Sequence, residues 1–349
     1  MREEVTKIEK LESVSITYAR VLATLCIVAC HWFDQWLGIP ALGQLFNVGV
    51  PVFFIISGFL YGRKQINGIL KWYFKQFWKI VIPVYAYYAV SVVILLIMGD
   101  VGRLNWKTVL YQLLNLQGFL YGQIGNVQVA HLWFITYILL CYLITPLLQK
   151  LRDTLSKKTI WLVLAVAGAI QMILVLRNSG VSAVHLWGVL AYISGYFFGA
   201  YHQLRVKKKG YILLSLLAVG AVMLRVILNR IADGGAAWIG LLYERAATSI
   251  CQIVLAWWIL ITVATIVFRF SKAAYGCLKP VRFCDRVSFE IYIVHQALML
   301  GTFDLLHTTF SLATDTLLLF VGVSVGTAVV RGVTLLINRL TGMYGRGMK

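Results

Sequence analysis

TYARVLATLCIVACHW, residues 17–32, is an apolar helical run that carries an arginine at position 20 and a histidine at position 31. Its surroundings decide what kind of helix it is. Apolar stretches of about 20 residues, the length that crosses a bilayer's hydrocarbon core, recur from here almost to the last residue. The 349-residue chain is 60% hydrophobic and only 13% charged, with a mean hydropathy of +0.81. A soluble domain of this size carries about 25% charged residues. The composition therefore predicts an all-α, polytopic membrane helix bundle and leaves no room for a soluble domain of useful size.

Ten spans are expected, at residues 15–36, 46–62, 78–98, 131–149, 158–177, 183–203, 210–231, 245–269, 286–306 and 312–337, forming a single transmembrane domain over 1–349. The charged segment MREEVTKIEKLESVS leads into the first span, and no small-residue cleavage site follows. A retained first helix is expected rather than a removed signal peptide. The net charge of +19 would suit nucleic acid, but its distribution argues for topology. With the N-terminus in the cytoplasm, 24 basic residues fall on the inner side and five on the outer: Arg103, Lys107, Arg177, Arg230 and Arg245. Both termini are expected in the cytoplasm, the surplus charge facing lipid headgroups of the bilayer and no nucleic acid.

Six cysteines (Cys26, Cys30, Cys141, Cys251, Cys277 and Cys284) are scattered without a C-x-x-C pair. They read as small apolar packing residues, with no disulfide framework and no metal site. Three connections stand out. Residues 63–79 set Lys71, Lys75 and Lys79 four apart among aromatics, which predicts an interfacial helix running into the third span. Residues 99–130 contain VLYQLLNLQGFLY, too short to span and suited to a partly inserted helix. Residues 229–244 form an outer loop with DGG as its turn.

An ionisable side chain inside a bilayer is costly and points to function by default. The eleven positions from Arg20 to His31 turn a helix to within roughly 20° of one face and advance it about 16 Å. Arg20 is thus expected near the cytoplasmic third and His31 near the outer third. Two readings stand: both line a path through the bundle, or Arg20 snorkels to headgroups while His31 caps a neighbouring carbonyl. Asp34, three residues on, either orients the His31 imidazole or ends a helix in solvent. His131, beside Trp133 at an outer face, reads as part of an aromatic belt. Glu290, Tyr292 and His295 lie in a late apolar helix, where Glu290 can pair with Arg286 four residues before it. Arg225 and Arg331 are near helix ends and can snorkel. The second span, NVGVPVFFIISGFLYGRK, has small residues and Pro51 that permit either close helix approach or a break.

Taken in order, these elements resemble the membrane-embedded acyltransferase family 3. The matching elements are Arg20 and His31 with ten residues between them, GVPVFFIISGFLYGRK, KWYFKQFWKIVIPVY, HLWFITYILLCYLITPLL and VSFEIYIVHQ. The resemblance covers essentially the whole chain. It implies a bundle of about ten spans that moves an acyl group, acetyl by default, from cytoplasmic acyl-CoA to a hydroxyl of a cell-surface or secreted glycan. It places the protein in a bacterial plasma membrane. On this reading His31 is the general base or is itself acylated, with Asp34 beside it. Arg20, Lys75 and Lys79 hold CoA phosphates or pantetheine carbonyls, and His131, Tyr292 and His295 line the acceptor site or stabilise the oxyanion. The family often carries two arginines where this chain has Lys75 and Lys79, which act as point charges without bidentate geometry.

Two other classes fit the composition. Intramembrane Arg, His and Glu would serve a proton-coupled exporter of a glycan or lipid-linked intermediate, although the two halves show no matched broken segments. A sensor, or the membrane half of an amino-acid racemase, is the third; the chain's end soon after the last span leaves no fused catalytic domain to expect. Small-residue faces pack helices within a chain as readily as between chains, so no oligomeric state is assigned.

Overall fold

The computed structural model describes residues 2–99, 106–119, 131–177, 181–232, 237–299, 303, 305 and 311–342. Among these the secondary structure is helical and no strand occurs. The helices are α1 (Arg2–His31), α2 (Pro40–Phe46), α3 (Gly49–Gly62), α4 (Ile69–Ile97), α5 (Trp106–Leu113), α6 (Trp133–Thr154) and α7 (Lys157–Arg177). They continue with α8 (Val181–Tyr201), α9 (Lys208–Ala232), α10 (Ala237–Leu242), α11 (Thr248–Arg269), α12 (Ser271–Gly276), α13 (Leu278–His295) and α14 (Leu312–Leu340). Two π-helical turns, Trp32–Trp36 and Tyr243–Ala247, follow α1 and precede α11.

Seven helical stretches among the described residues are long and apolar enough to cross a bilayer. They are Thr6–Asp34, Pro40–Gly62, Ile69–Ile97, Trp133–Thr154, Lys208–Ile231, Thr248–Arg269 and Leu312–Leu340. The expected ten are therefore not all met by length and apolarity, and α7, α8 and α13 stand at the other three positions. Of the expected ninth span, 286–306, the described part lies in α13, which starts at Leu278 and ends at His295, and in a 3-10 turn over Gln296–Leu298. The 18 residues of α13 include Lys279, Arg282, Asp285, Arg286 and Glu290, too many for it to count as a plain apolar span. The DGG turn at 233–235, Arg103, and most of the ninth span beyond 299 lie outside the described residues.

Backbone contacts divide the chain into two compact units. The first comprises Met1–Ile27, Leu45–Gln65 and Ile144–Arg286. Its centre is the pair α3 and α8, which meet backbone to backbone. A Cβ on Gly58 or Gly62 would strike the carbonyls of Tyr192 or Tyr196, and one on Gly195 or Gly199 those of Ile55 or Phe59. Each helix thus presents a Gly-x-x-x-Gly face to the other, the geometry by which membrane helices approach closely when no hydrophobic effect drives them together. Of the two readings of the second span, close approach is the one realised, and α3 is unbroken through Ser57 and Gly58. Around this contact Phe54, Ile55, Phe59, Tyr192 and Tyr196 are fully buried, and Thr145 shares a hydrogen bond with Tyr192 at 2.7 Å.

Two arginines tie the helix ends of this unit. Arg63 pairs with the buried Glu12 at 2.5 and 3.0 Å and donates to the His202 carbonyl at 3.1 Å. The same Glu12 accepts from the backbone N–H of Leu204 at 2.6 Å. Arg152 donates to the carbonyls of Gly62 (2.9 Å) and Lys64 (3.2 Å), which the end of α3 leaves without helical donors. By contrast, α9 exposes Leu213, Leu216, Leu217, Met223 and Ile227, the apolar surface of a lipid-facing helix.

The second unit comprises Val28–Gln44, Ile66–Leu143 and Val287–Lys349. The expected interfacial helix and third span form one continuous α4, with Lys71, Lys75 and Lys79 exposed on its first half. The short helix expected after residue 99 is α5, and the turn after it docks onto the start of α6. Asn115, in the left-handed region at φ 54°, accepts from the Thr136 hydroxyl at 2.6 Å. The Gly118 N–H donates to the same oxygen at 2.9 Å, and Gln117 donates to the Leu132 carbonyl at 3.1 Å. Non-helical backbone within a bilayer needs such partners, because hydrocarbon offers none.

Candidate active site

The site is built in the second unit, where α1, α6 and α13 end or begin. His31 is the last residue of α1, and the π-helical turn Trp32–Trp36 carries the chain on past it. Such turns inside helices recur at functional sites because they re-aim a side chain. The helix α2 folds back against this turn: a Cβ on Gly43 would meet Asp34 Cβ at 2.8 Å and the Cys30 carbonyl at 2.9 Å. Gly43 thus lets α2 seat beside Asp34, whose carboxylate lies within electrostatic reach of the His31 ring.

His131 stands just before α6 and is tied to α13 in both directions. Its Nε2 donates to the Ile293 carbonyl at 2.7 Å, and its own backbone carbonyl accepts from the Tyr292 hydroxyl. It is 4% exposed, so the aromatic-belt reading gives way to a buried one. His295, fully buried at the end of α13, bonds through Nδ1 to the carbonyls of Tyr292 at 2.7 Å and Ile291 at 3.2 Å. The rings form one cluster. The centroids of His31 and His295 are 5.4 Å apart, those of His131 and His295 5.6 Å, and those of His131 and Tyr292 5.8 Å. Tyr87 of α4 adds an edge contact to His131 at 6.4 Å.

Of the residues singled out in the sequence, His31, Asp34, His131, Tyr292 and His295 are therefore gathered in the second unit. Lys75 and Lys79 belong to the same unit but lie back along α4, about 18 and 12 Å along the helix axis from Tyr87. Arg20 lies in the first unit, on the stretch of α1 that runs unbroken to His31. There its Nε and Nη2 grip both oxygens of Asp285, at 2.6 and 2.7 Å. Asp285 is a partner the sequence reading missed, 265 positions away and with no local pattern to announce it. Glu290 is met by Arg331 of α14 at 3.4 Å, a cross-helix partner that the four-residue spacing to Arg286 does not suggest.

Buried imidazoles beside a phenol in an apolar setting suit nucleophilic or proton-transfer chemistry on a neutral carbonyl substrate. Among the described residues no group of three or more His, Cys, Asp or Glu side chains is arranged to hold a metal ion. The sequence profile of the family described as "Acyltransferase domain", acyltransferase family 3, matches residues 13–334. The chain belongs to this acyltransferase family. No curated protein and no solved structure matches the chain. The matched region of the acyltransferase takes in Arg20, the whole histidine cluster and all seven apolar spans except their outermost residues.

Proposed function

We propose that this acyltransferase moves an acyl group, acetyl by default, from cytoplasmic acyl-CoA to a hydroxyl of a cell-surface or secreted glycan across a bacterial plasma membrane. The observation that carries the reading is the convergence of His31 and His131 on His295, with Tyr292 beside the latter two, from segments more than 90 residues apart in sequence. An imidazole is the side chain best suited at neutral pH either to accept a hydroxyl proton or to carry an acyl group. His31, the most accessible of the three rings, is the residue assigned to act on the acyl carbon, with Asp34 orienting it. Arg20, Lys75 and Lys79 are assigned to the anionic donor. The Asp285 pair occupies Arg20 Nε and Nη2, which leaves Nη1 to reach a donor oxygen.

His31→Ala is expected to abolish incorporation of label from acyl-CoA into glycan while protein level and membrane insertion stay unchanged. Mass spectrometry of surface glycans from cells with and without the gene then names the donor and acceptor through the missing acyl mass. Unaltered glycans, together with glycan movement into vesicles free of acyl-CoA, would overturn acyl transfer in favour of export.

A further inference from the structure

A backbone carbonyl can only accept a hydrogen bond, so a ring nitrogen facing one must carry the proton. At His295 that nitrogen is Nδ1, held by the carbonyls of Tyr292 and Ile291. In the neutral ring Nε2 is then a bare lone pair. At His131 the nitrogens exchange roles: Nε2 carries the proton to the Ile293 carbonyl, and Nδ1 is bare. Both bare nitrogens are buried and have no hydrogen-bond partner among the described residues. Leaving such an acceptor unpaired in an apolar interior is costly, and a residue kept only for packing would be apolar. Of the two rings, His295 is the one in contact with both His131 and His31.

We infer that His295 is the base of the acyl-transfer reaction, its Nε2 positioned to take the proton of the acceptor hydroxyl. The inference rests on the proposed acyl transfer and divides the labour within it. The tautomer set by the Tyr292 and Ile291 carbonyls also removes His295 as an oxyanion donor, because neutral Nε2 has no hydrogen to offer. With the base at His295, His31 attacks the thioester carbon: an N–C bond forms, the C–S bond breaks, and the departing CoA thiolate takes the ring proton of His31. The acceptor hydroxyl then gives its proton to His295 Nε2 as its oxygen bonds the acyl carbon. The C–N bond to His31 breaks, and the proton returns from His295 to the freed His31 nitrogen. The products are the ester and free CoA thiol, with both histidines neutral again.

The test is His295→Asn. The Asn side-chain N–H takes the place of Nδ1 and keeps the bond to the Tyr292 carbonyl, but nothing takes the place of Nε2. Transfer of labelled acetyl to glycan should fall about 100-fold, within the range a general base contributes, while kcat/KM for acetyl-CoA stays unchanged because acylation of His31 precedes the step that His295 serves. Labelled acetyl should also accumulate on the protein itself and vanish in the double variant with His31→Ala. A phenolic acceptor, whose hydroxyl needs less help to ionise, should recover much of the lost rate. Wild-type transfer with His295→Asn within threefold of it would overturn the role of His295 alone. A large loss that is equal for sugar and phenol would also reject it, since that pattern marks a structural defect. Absence of transfer by the wild type would remove the acyl-transfer reading and this one together.

Discussion

Arg20 illustrates what residue chemistry announces and what it hides. Its cost in an apolar helix is plain from its neighbours, but its partner Asp285 is not. The bidentate geometry uses the guanidinium's planar fork, which a lysine cannot reproduce. Asp285→Asn keeps one acceptor oxygen and loses the charge and one of the two bonds. Because Arg20 is 35% exposed, the loss of stability should lie near the lower end of the range for charged hydrogen bonds, about 1.5 kcal/mol. A lowered thermal midpoint in detergent would measure it. If Arg20 holds the donor in the direction Asp285 imposes, the KM for acyl-CoA should also rise about tenfold, equivalent to about 1.4 kcal/mol. A KM equal to that of the wild type would show that Asp285 serves stability alone. His131 makes the opposite point. Its position beside Trp133 suggested an interfacial residue, yet its ring is buried: from α13 the Ile293 carbonyl accepts from its Nε2 and the Tyr292 hydroxyl donates to its backbone carbonyl.

Among the elements, the clearest sequence-to-packing link is the pair α3 and α8. Gly58 and Gly62 face Gly195 and Gly199 with backbone on backbone, so no rotamer change can make room for a side chain. Gly58→Val must push the helices apart, at a cost of about 3 kcal/mol. Gly168, on α7, has open space where its Cβ would stand. Gly168→Ala should therefore stabilise by about 0.5–1 kcal/mol through helix propensity alone. Thermal unfolding of the two variants in the same detergent should move in opposite directions; a Gly58→Val protein as stable as the wild type would refute the close approach. The small residues of the second span were visible in sequence, but which helix they would meet was not. At the ninth position the reverse holds: α13 begins at Leu278 and tolerates its charges through pairs such as Arg20–Asp285, which no local pattern announces.

For the whole molecule, the charge asymmetry of the connecting segments predicts which of them face the cytoplasm. Fusions to a reporter active only outside the cytoplasm should be silent after residues 65, 155 and 206, and active after residues 105 and 235. The opposite pattern would invert the topology. Some of the charges behind that asymmetry have a second use. Arg63 and Arg152 count as basic residues of inner segments, yet they bind Glu12, Gln65 and the carbonyl groups that end α3 and α8. A positive-inside count treats each as an exposed point charge and so misses this role.

Hydropathy and charge are local properties, so the sequence by itself determined the all-helical membrane class, most of the spans and the family. The order of Arg20, His31, ISGFL and VHQ was enough to suggest the last. Contacts between distant residues carry no such local signal. Only the tertiary structure decided that Asp285 meets Arg20, that Arg331 meets Glu290, and that His31, His131 and His295 share one cluster. It also decided the tautomers, because the carbonyls that fix His131 and His295 come from the helix end on which they converge.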